Sequence, residues 1–185
     1  MKKLVVCVCH GNIHRSVIAE HCFNLVFRQR GLDKELFAIS RGIQGTMNTD
    51  LPKYANLYNY EKELTYSEPF LKQIGVCIPQ KQMARPITAT ILGQASIVLA
   101  MDHKVLIAEK NNLVRQFPEY GYKMRLFLEL AGSFDDVIDC CGSDDIKLYQ
   151  QTIMMINTIA TKRIDMLRGL IKVFNLLTEK GGNKK

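Results

Sequence analysis

The sequence predicts an α/β protein: a four-stranded parallel sheet with helices on both faces. Four short apolar runs carry this reading, "KLVVCV" (3–8), "LFAIS" (36–40), "SIVLA" (96–100) and "MRLFLEL" (124–130). Each has the length and residue types of a buried strand. Helix-like segments fall between them, and such alternation marks a parallel sheet covered on both sides. In sheets of this kind ligands sit beyond the carboxyl ends of the strands. The most reactive stretch of the chain follows the first run directly.

The elements follow in order. After strand 3–8 comes a loop holding Gly11. The segment "RSVIAEHCFNLVFRQRG" then places Ile18, Cys22, Leu25, Val26 and Phe27 at helical spacing and stops at Gly31 after two arginines. Strand 36–40 leads into residues 41–60, rich in Gly, Asn, Thr and Tyr and read as loop. A helix then runs toward Gly75, opened or kinked by Pro69. Strand 96–100 is followed by a helix from Asp102, and strand 124–130 by a loop. From Asp144 to Glu179 a long helical pattern carries Tyr149, Ile153, Ile156, Ala160, Ile164, Leu167, Ile171 and Phe174, with Gly169 its one weak point.

The 185 residues are 47% hydrophobic and 23% charged, which suits one globular domain over 1–185. Residues from about 160 to 185 read as a helical extension with a basic tail. The net charge of +7 favours anionic partners. Without an RNA-binding signature or zinc-finger spacing, nucleic acid is not expected. The last third of the helix is apolar on one face and basic elsewhere. It reads as core or dimer packing, with contact at a membrane surface as the alternative. The amino-terminal apolar run is short, holds two cysteines and lacks a cleavage site, so it does not read as a signal peptide. Six cysteines outside any small-domain framework read as reduced thiols of a cytoplasmic protein.

Residues 7–15 hold two cysteines, two histidines and an arginine. Two chemistries compete for such a cluster. Cys7, Cys9, His10, His14, His21 and Cys22 include zinc-ligand types, but their spacing matches no strong zinc pattern, and Arg15 would stand beside the cation. No metal or other cofactor is therefore called for. The alternative is an anion nest. A loop closing from a strand end into a helix start turns several N–H groups inward, and the helix terminus adds positive potential. Gly11 and Asn12 tolerate the left-handed angles a nest needs. The same N–H groups would stabilise a thiolate on Cys9 at its base. Arg15, six positions on, could clamp two phosphate oxygens.

With these residues in view, "VCHGNIHRSVIAE" (8–20) resembles the signature of the low-molecular-weight protein tyrosine phosphatases, V-C-x-G-N-x-C-R-S-P-x-A-E. "SRG" (40–42), "ARPIT" (84–88), "ASIVLAMDHKVL" (95–106) and "GSFDDVIDCCG" (132–142) resemble later family segments in order, so the likeness spans roughly 3–160. It implies a phosphomonoesterase acting on phosphotyrosine in proteins. Cys9 would be the nucleophile that forms a phosphocysteine. Arg15 and the amides of His10, Gly11, Asn12, Ile13 and His14 would hold the phosphoryl oxygens. Ser16 would donate to the Cys9 sulfur, and Ser40 would support the loop as the partner of Asn12. Asp139 would be the general acid, with Asp135 and Asp136 as rivals.

The chain also departs from the pattern. Its acid loop lacks the family proline, and Cys140 and Cys141 replace the two aromatic residues. His14 replaces the second loop cysteine; it and His10 either bias the local field toward anions when protonated or read as solvent-facing side chains. Ile13, being aliphatic, goes with the tyrosine-specific members, whereas threonine marks the arginine-phosphatase branch. Tyr54, Tyr58 and Tyr60 read either as ring contacts at the pocket or as ordinary surface tyrosines. A catalytically weak phosphate-binding module and a thiol-dependent arsenate reductase are the remaining alternatives. The reductase would need a further cysteine near "LAMD" (99–102), which this chain lacks.

Overall fold

The computed structural model describes residues 2–181, with side chains through residue 177. Four parallel strands form the sheet: β1 (Lys3–Cys9), β2 (Leu36–Gly42), β3 (Ala95–Ala100) and β4 (Met124–Leu126), in the order β2-β1-β3-β4. β1 is central and buried from Leu4 onward. Its alternating side chains divide the core. Val5, Cys7 and Cys9 face α1 (Arg15–Gln29), α5 (Ile146–Lys162) and α6 (Ile164–Gly181). Leu4, Val6 and Val8 face Ile87, Leu92, Val105 and Leu113 on the opposite side. That two-sided burial explains why the strands read as continuous apolar runs.

The remaining helices are short or lateral. α2 (Glu61–Gln73) contains Pro69, α3 (Ala89–Gln94) is capped by the Thr88 side chain, and α4 (Leu113–Gln116) is one turn. α3 is an addition to the sequence reading. The helix expected from Asp102 is a single wide turn, Lys104–Ala108. The fourth strand is shorter than the run that announced it: after Leu126 the chain tightens into a 3₁₀ segment, Phe127–Ala131. Phe127, Leu128 and Leu130 are buried in this 3₁₀ segment as strand residues would be, so apolar content alone does not distinguish the two.

The long carboxyl-terminal helix is two helices. The break falls at Arg163, not Gly169; α5 ends there and α6 starts one residue later. Ile156, Ala160, Ile164, Leu167, Ile171 and Phe174 form one buried stripe across it, so the bend keeps a single apolar face on the core. Met166, Val173, Leu176 and Leu177 stay exposed. Among the described residues no helix is long and apolar enough to cross a membrane.

The register brings Cys9 beside Gly42 and Val8 beside Ala100, so the carboxyl ends of β1, β2 and β3 share one edge. β1 lies between the first two strands it precedes, the switch point where such sheets bind ligands. Gly42 is required there. A Cβ on it would stand 2.9 Å from the His10 carbonyl oxygen and 3.0 Å from the Asn12 nitrogen. Its neighbours Ile43 and Gln44 donate their N–H groups to the His10 carbonyl, both at 3.0 Å.

Candidate active site

Residues 10–14 form the turn between β1 and α1. Asn12 is the pivot, with a left-handed φ of 56°. Its backbone N–H points at the Cys9 sulfur, 3.2 Å away. Its side-chain oxygen accepts the Arg85 N–H at 2.9 Å, which fixes the amide and leaves Nδ2 donating to Ser16 Oγ at 3.2 Å. With that lone pair taken, the Ser16 hydroxyl can donate to Cys9 Sγ, 3.0 Å away. Cys9 is 4% exposed, and its sulfur faces two donors at the floor of the loop. The N–H groups of Gly11, Ile13 and His14 take no partner among the described residues and remain available to an oxyanion.

Arg15, the first residue of α1, closes the loop. Its Nη1 is 2.5 Å from Asp102 Oδ2 and 3.0 Å from the Val137 carbonyl, and its Nη2 is 2.6 Å from Asp139 Oδ2. Burial opposes the guanidinium charge, but the Cys9 sulfur, Asp139 and Asp102 outweigh it and hold the pKa above its ordinary value. Asp102 is in turn oriented by the Val105 N–H at 2.7 Å. The two carboxylates differ in exposure: the Asp102 side chain is 9% accessible and that of Asp139 51%. One is a fixed counter-ion; the other stands at the rim.

Cys9, Gly11, Ile13 and Arg15 open into a cavity of about 170 Å³ whose upper wall includes Pro52, Tyr60, Glu63, Asp139 and Cys141. α2 holds the far wall in place, through Glu63 Oε1 accepting the Gly142 N–H at 3.1 Å and Lys62 reaching the Gly142 carbonyl at 3.0 Å. A neighbouring cavity of about 380 Å³, on the other side of Arg15 and Asp139, includes Asp102, Lys104 and Asp136.

Of the three candidate acids, only Asp139 reaches Arg15. Asp136 accepts from the His103 backbone N–H at 2.8 Å and from its ring, and Asp135 is tied to Ser133 at 2.5 Å. Cys140 is wholly buried. The neighbouring Cys141 thiol and the His14 ring pull the Cys140 thiol down to about 5, and the contact with Cys140 raises Cys141. Cys7 and Cys22 lie in the core with their thiols pushed up by burial, away from exposed His10.

Two expectations are corrected. Ser40 is not the partner of Asn12. Its hydroxyl and N–H both donate to Glu20 Oε2, at 2.5 and 2.8 Å, while Asn12 is satisfied by Ser16 and Arg85. His14 does not face solvent. Its Nε2 is 2.7 Å from Ser67 Oγ and its ring meets Tyr149 edge-on, because the first turn of α1 directs it beneath α2 and α5. Of the three tyrosines, Tyr60 lines the cavity, Tyr54 packs on it, and Tyr58 donates to the Ile78 carbonyl elsewhere. Sequence reasoning assigned no role to Asp102, Glu63 or the Arg85 backbone. Asp102 and Arg85 lay inside segments already singled out; nothing in the sequence signalled Glu63.

A sulfur under inward amides, an arginine and a rim carboxylate thus share one edge of a parallel α/β sheet. The family model for low molecular weight phosphotyrosine protein phosphatase matches residues 4–169. The chain belongs to that family and is a protein phosphatase, a hydrolase. It is 28% identical over 149 residues to a protein-arginine-phosphatase of Bacillus subtilis strain 168, covering 80% of this chain and 85% of the relative. The low molecular weight protein tyrosine phosphatase of T. tengcongensis superposes with a TM-score of 0.70 at 28% identity, over 89% of this chain and 99% of that one. A YwlE mutant from Bacillus subtilis gives 0.69 at 24%, over 90% and 99%, a likeness of fold alone.

Proposed function

We propose that the protein hydrolyses phosphotyrosine in protein substrates through a phosphocysteine. The observation that carries this reading is Cys9 Sγ held between the Asn12 N–H and the Ser16 hydroxyl, beneath unpartnered amides and the Arg15 fork. The sulfur attacks phosphorus as the bond to the leaving oxygen breaks, and Asp139 gives that oxygen its proton. Water then attacks the phosphocysteine, Asp139 takes a proton from it, and the S–P bond breaks to free phosphate and return the thiolate. Arg15 and the amides bind the equatorial oxygens throughout. Ile13, Pro52 and Tyr60 offer an apolar wall for an aromatic ring, and the aliphatic Ile13 fits the tyrosine-specific pattern of the resemblance.

Phosphoarginine is the second reading. Glu63 and Asp139 line the same cavity and would face a cationic guanidinium, and the curated relative is named a protein-arginine-phosphatase. Peptides carrying phosphotyrosine, phosphoserine or phosphoarginine decide between them. We expect kcat/KM for phosphotyrosine to exceed the others by about tenfold or more, and Cys9→Ser to abolish turnover. Asp139→Ala should cost about 10²–10³-fold on phosphotyrosine peptide. Its effect on p-nitrophenyl phosphate, whose leaving group needs little protonation, should be much smaller. Preference for phosphoarginine would replace the first reading with the second; turnover by Cys9→Ser would remove both.

A further inference from the structure

Behind the loop, Arg41, Lys81 and Arg85 converge on a cavity of about 220 Å³ that also includes Glu20 and Gln82. We infer that this cavity is a second anion site, which takes a phosphate-class dianion between the Arg41 and Arg85 guanidiniums with Lys81 at its mouth.

The charge balance carries it. Three cations face one carboxylate, and one of its two oxygens is already engaged: Glu20 Oε2 accepts the Ser40 N–H at 2.8 Å, the Ser40 hydroxyl at 2.5 Å and Gln82 Nε2 at 3.2 Å. Among the described residues, Arg41, Lys81 and Arg85 form no ion pair. Arg41 is only partly exposed, and one of its nitrogens is anchored on the Ser40 carbonyl at 2.6 Å. Burial and then the Arg85 charge push its pKa down, against a weaker pull from Glu20. Arg41 is half-buried beside the exposed Arg85; like charges held close are relieved by a bound anion, and two guanidiniums present several charge-assisted donors to it.

The site abuts the catalytic loop without sharing its ligand groups. The Arg85 N–H holds Asn12, the Arg85 carbonyl accepts the Gly42 N–H at 2.9 Å, and the Arg41 carbonyl lies 3.5 Å from Ser16 Oγ. An anion there therefore grips the segments that brace the loop from behind. Free phosphate, the product of the reaction, is one source of it; a second phosphoryl group on the same substrate is the other.

The test is amide NMR of the ¹⁵N-labelled full chain, titrated with inorganic phosphate, then with singly and doubly phosphorylated peptides. We expect residues 39–42 and 81–86 to saturate with a midpoint distinct from that of residues 10–15. Lys81→Gln, at an exposed position, and Arg41→Ala should each weaken that second transition by about tenfold. A second transition with phosphate assigns the free ion, and one with only the doubly phosphorylated peptide assigns the substrate. A single midpoint in every arm, or a second transition unmoved in Lys81→Gln, overturns the proposal. Hydrolysis is measured separately, so loss of activity with the second transition intact would count against the proposed function alone.

Discussion

At the scale of single residues, the site is an arrangement of committed hydrogen bonds. Asn12 has its oxygen spent on Arg85 and its nitrogen on Ser16, and that frees the serine proton for sulfur. Asp102 performs a parallel task for Arg15. Asp102→Ala would leave a guanidinium that is 4% exposed with the half-exposed Asp139 as its one remaining carboxylate among the described residues. Breaking one side of a buried pair costs about 3–5 kcal/mol. Partial relief from Asp139 and the Val137 carbonyl puts the expected loss nearer 2–3 kcal/mol. Denaturant unfolding of wild type and variant reads this directly, and kcat/KM should fall with it by about tenfold or more. Cys9, Arg15 and Ser16 were legible in sequence because they lie within eight positions and fold locally. Asp102 and Glu63 reach the site across 87 and 48 intervening steps from Arg15, so only the closed sheet brings them there.

At the scale of elements, the apolar runs of β1, β2 and β3 were plain because buried parallel strands have no polar face to interrupt them. The runs misled where burial is indifferent to backbone type, as in Phe127–Ala131, and where an element is too short for periodicity, as in α3. The sequence reads α5 and α6 as one helix with Gly169, the residue of poorest propensity, as its weak point. The chain breaks instead at Arg163, where packing decides and propensity is overridden. α6 is no loose appendage: Ile164, Leu167, Ile171 and Phe174 are each at most 2% exposed. Burying each is worth about 1.5–3 kcal/mol, and together they rival the whole stability of a domain. A chain ended after Arg163 should therefore fail to give a cooperative thermal transition, whereas one ended after Leu177 should keep it. A well-folded shorter chain, seen by calorimetry, would show α6 to be dispensable.

At the scale of the molecule, a net charge of +7 surrounds a pocket for a dianion. Long-range attraction of this kind is screened as the Debye length falls from about 30 Å at 0.01 M salt to about 10 Å at 0.1 M. We expect kcat/KM for p-nitrophenyl phosphate to drop by about two- to fivefold over that range, with kcat little changed. A flat profile would mean that the acidic wall of Glu63, Asp136 and Asp139 cancels the global field at the mouth. The sheet explains why one edge can host such opposed charges. The end of β1 and the loop after it deliver sulfur and arginine, and the segments after β3 and β4 deliver Asp102 and Asp139, to a common rim.

The pairing of Asp139 with Arg15 Nη2 at 2.6 Å carries one more consequence. On the proposed mechanism a phosphoryl group entering the loop would compete for that same nitrogen, and the Asp139 carboxyl, released from the guanidinium and protonated, would stand beside the scissile oxygen. Recruitment of the proton donor and capture of the substrate would then be a single event. Weakly binding anions would lose that contest to the resident carboxylate.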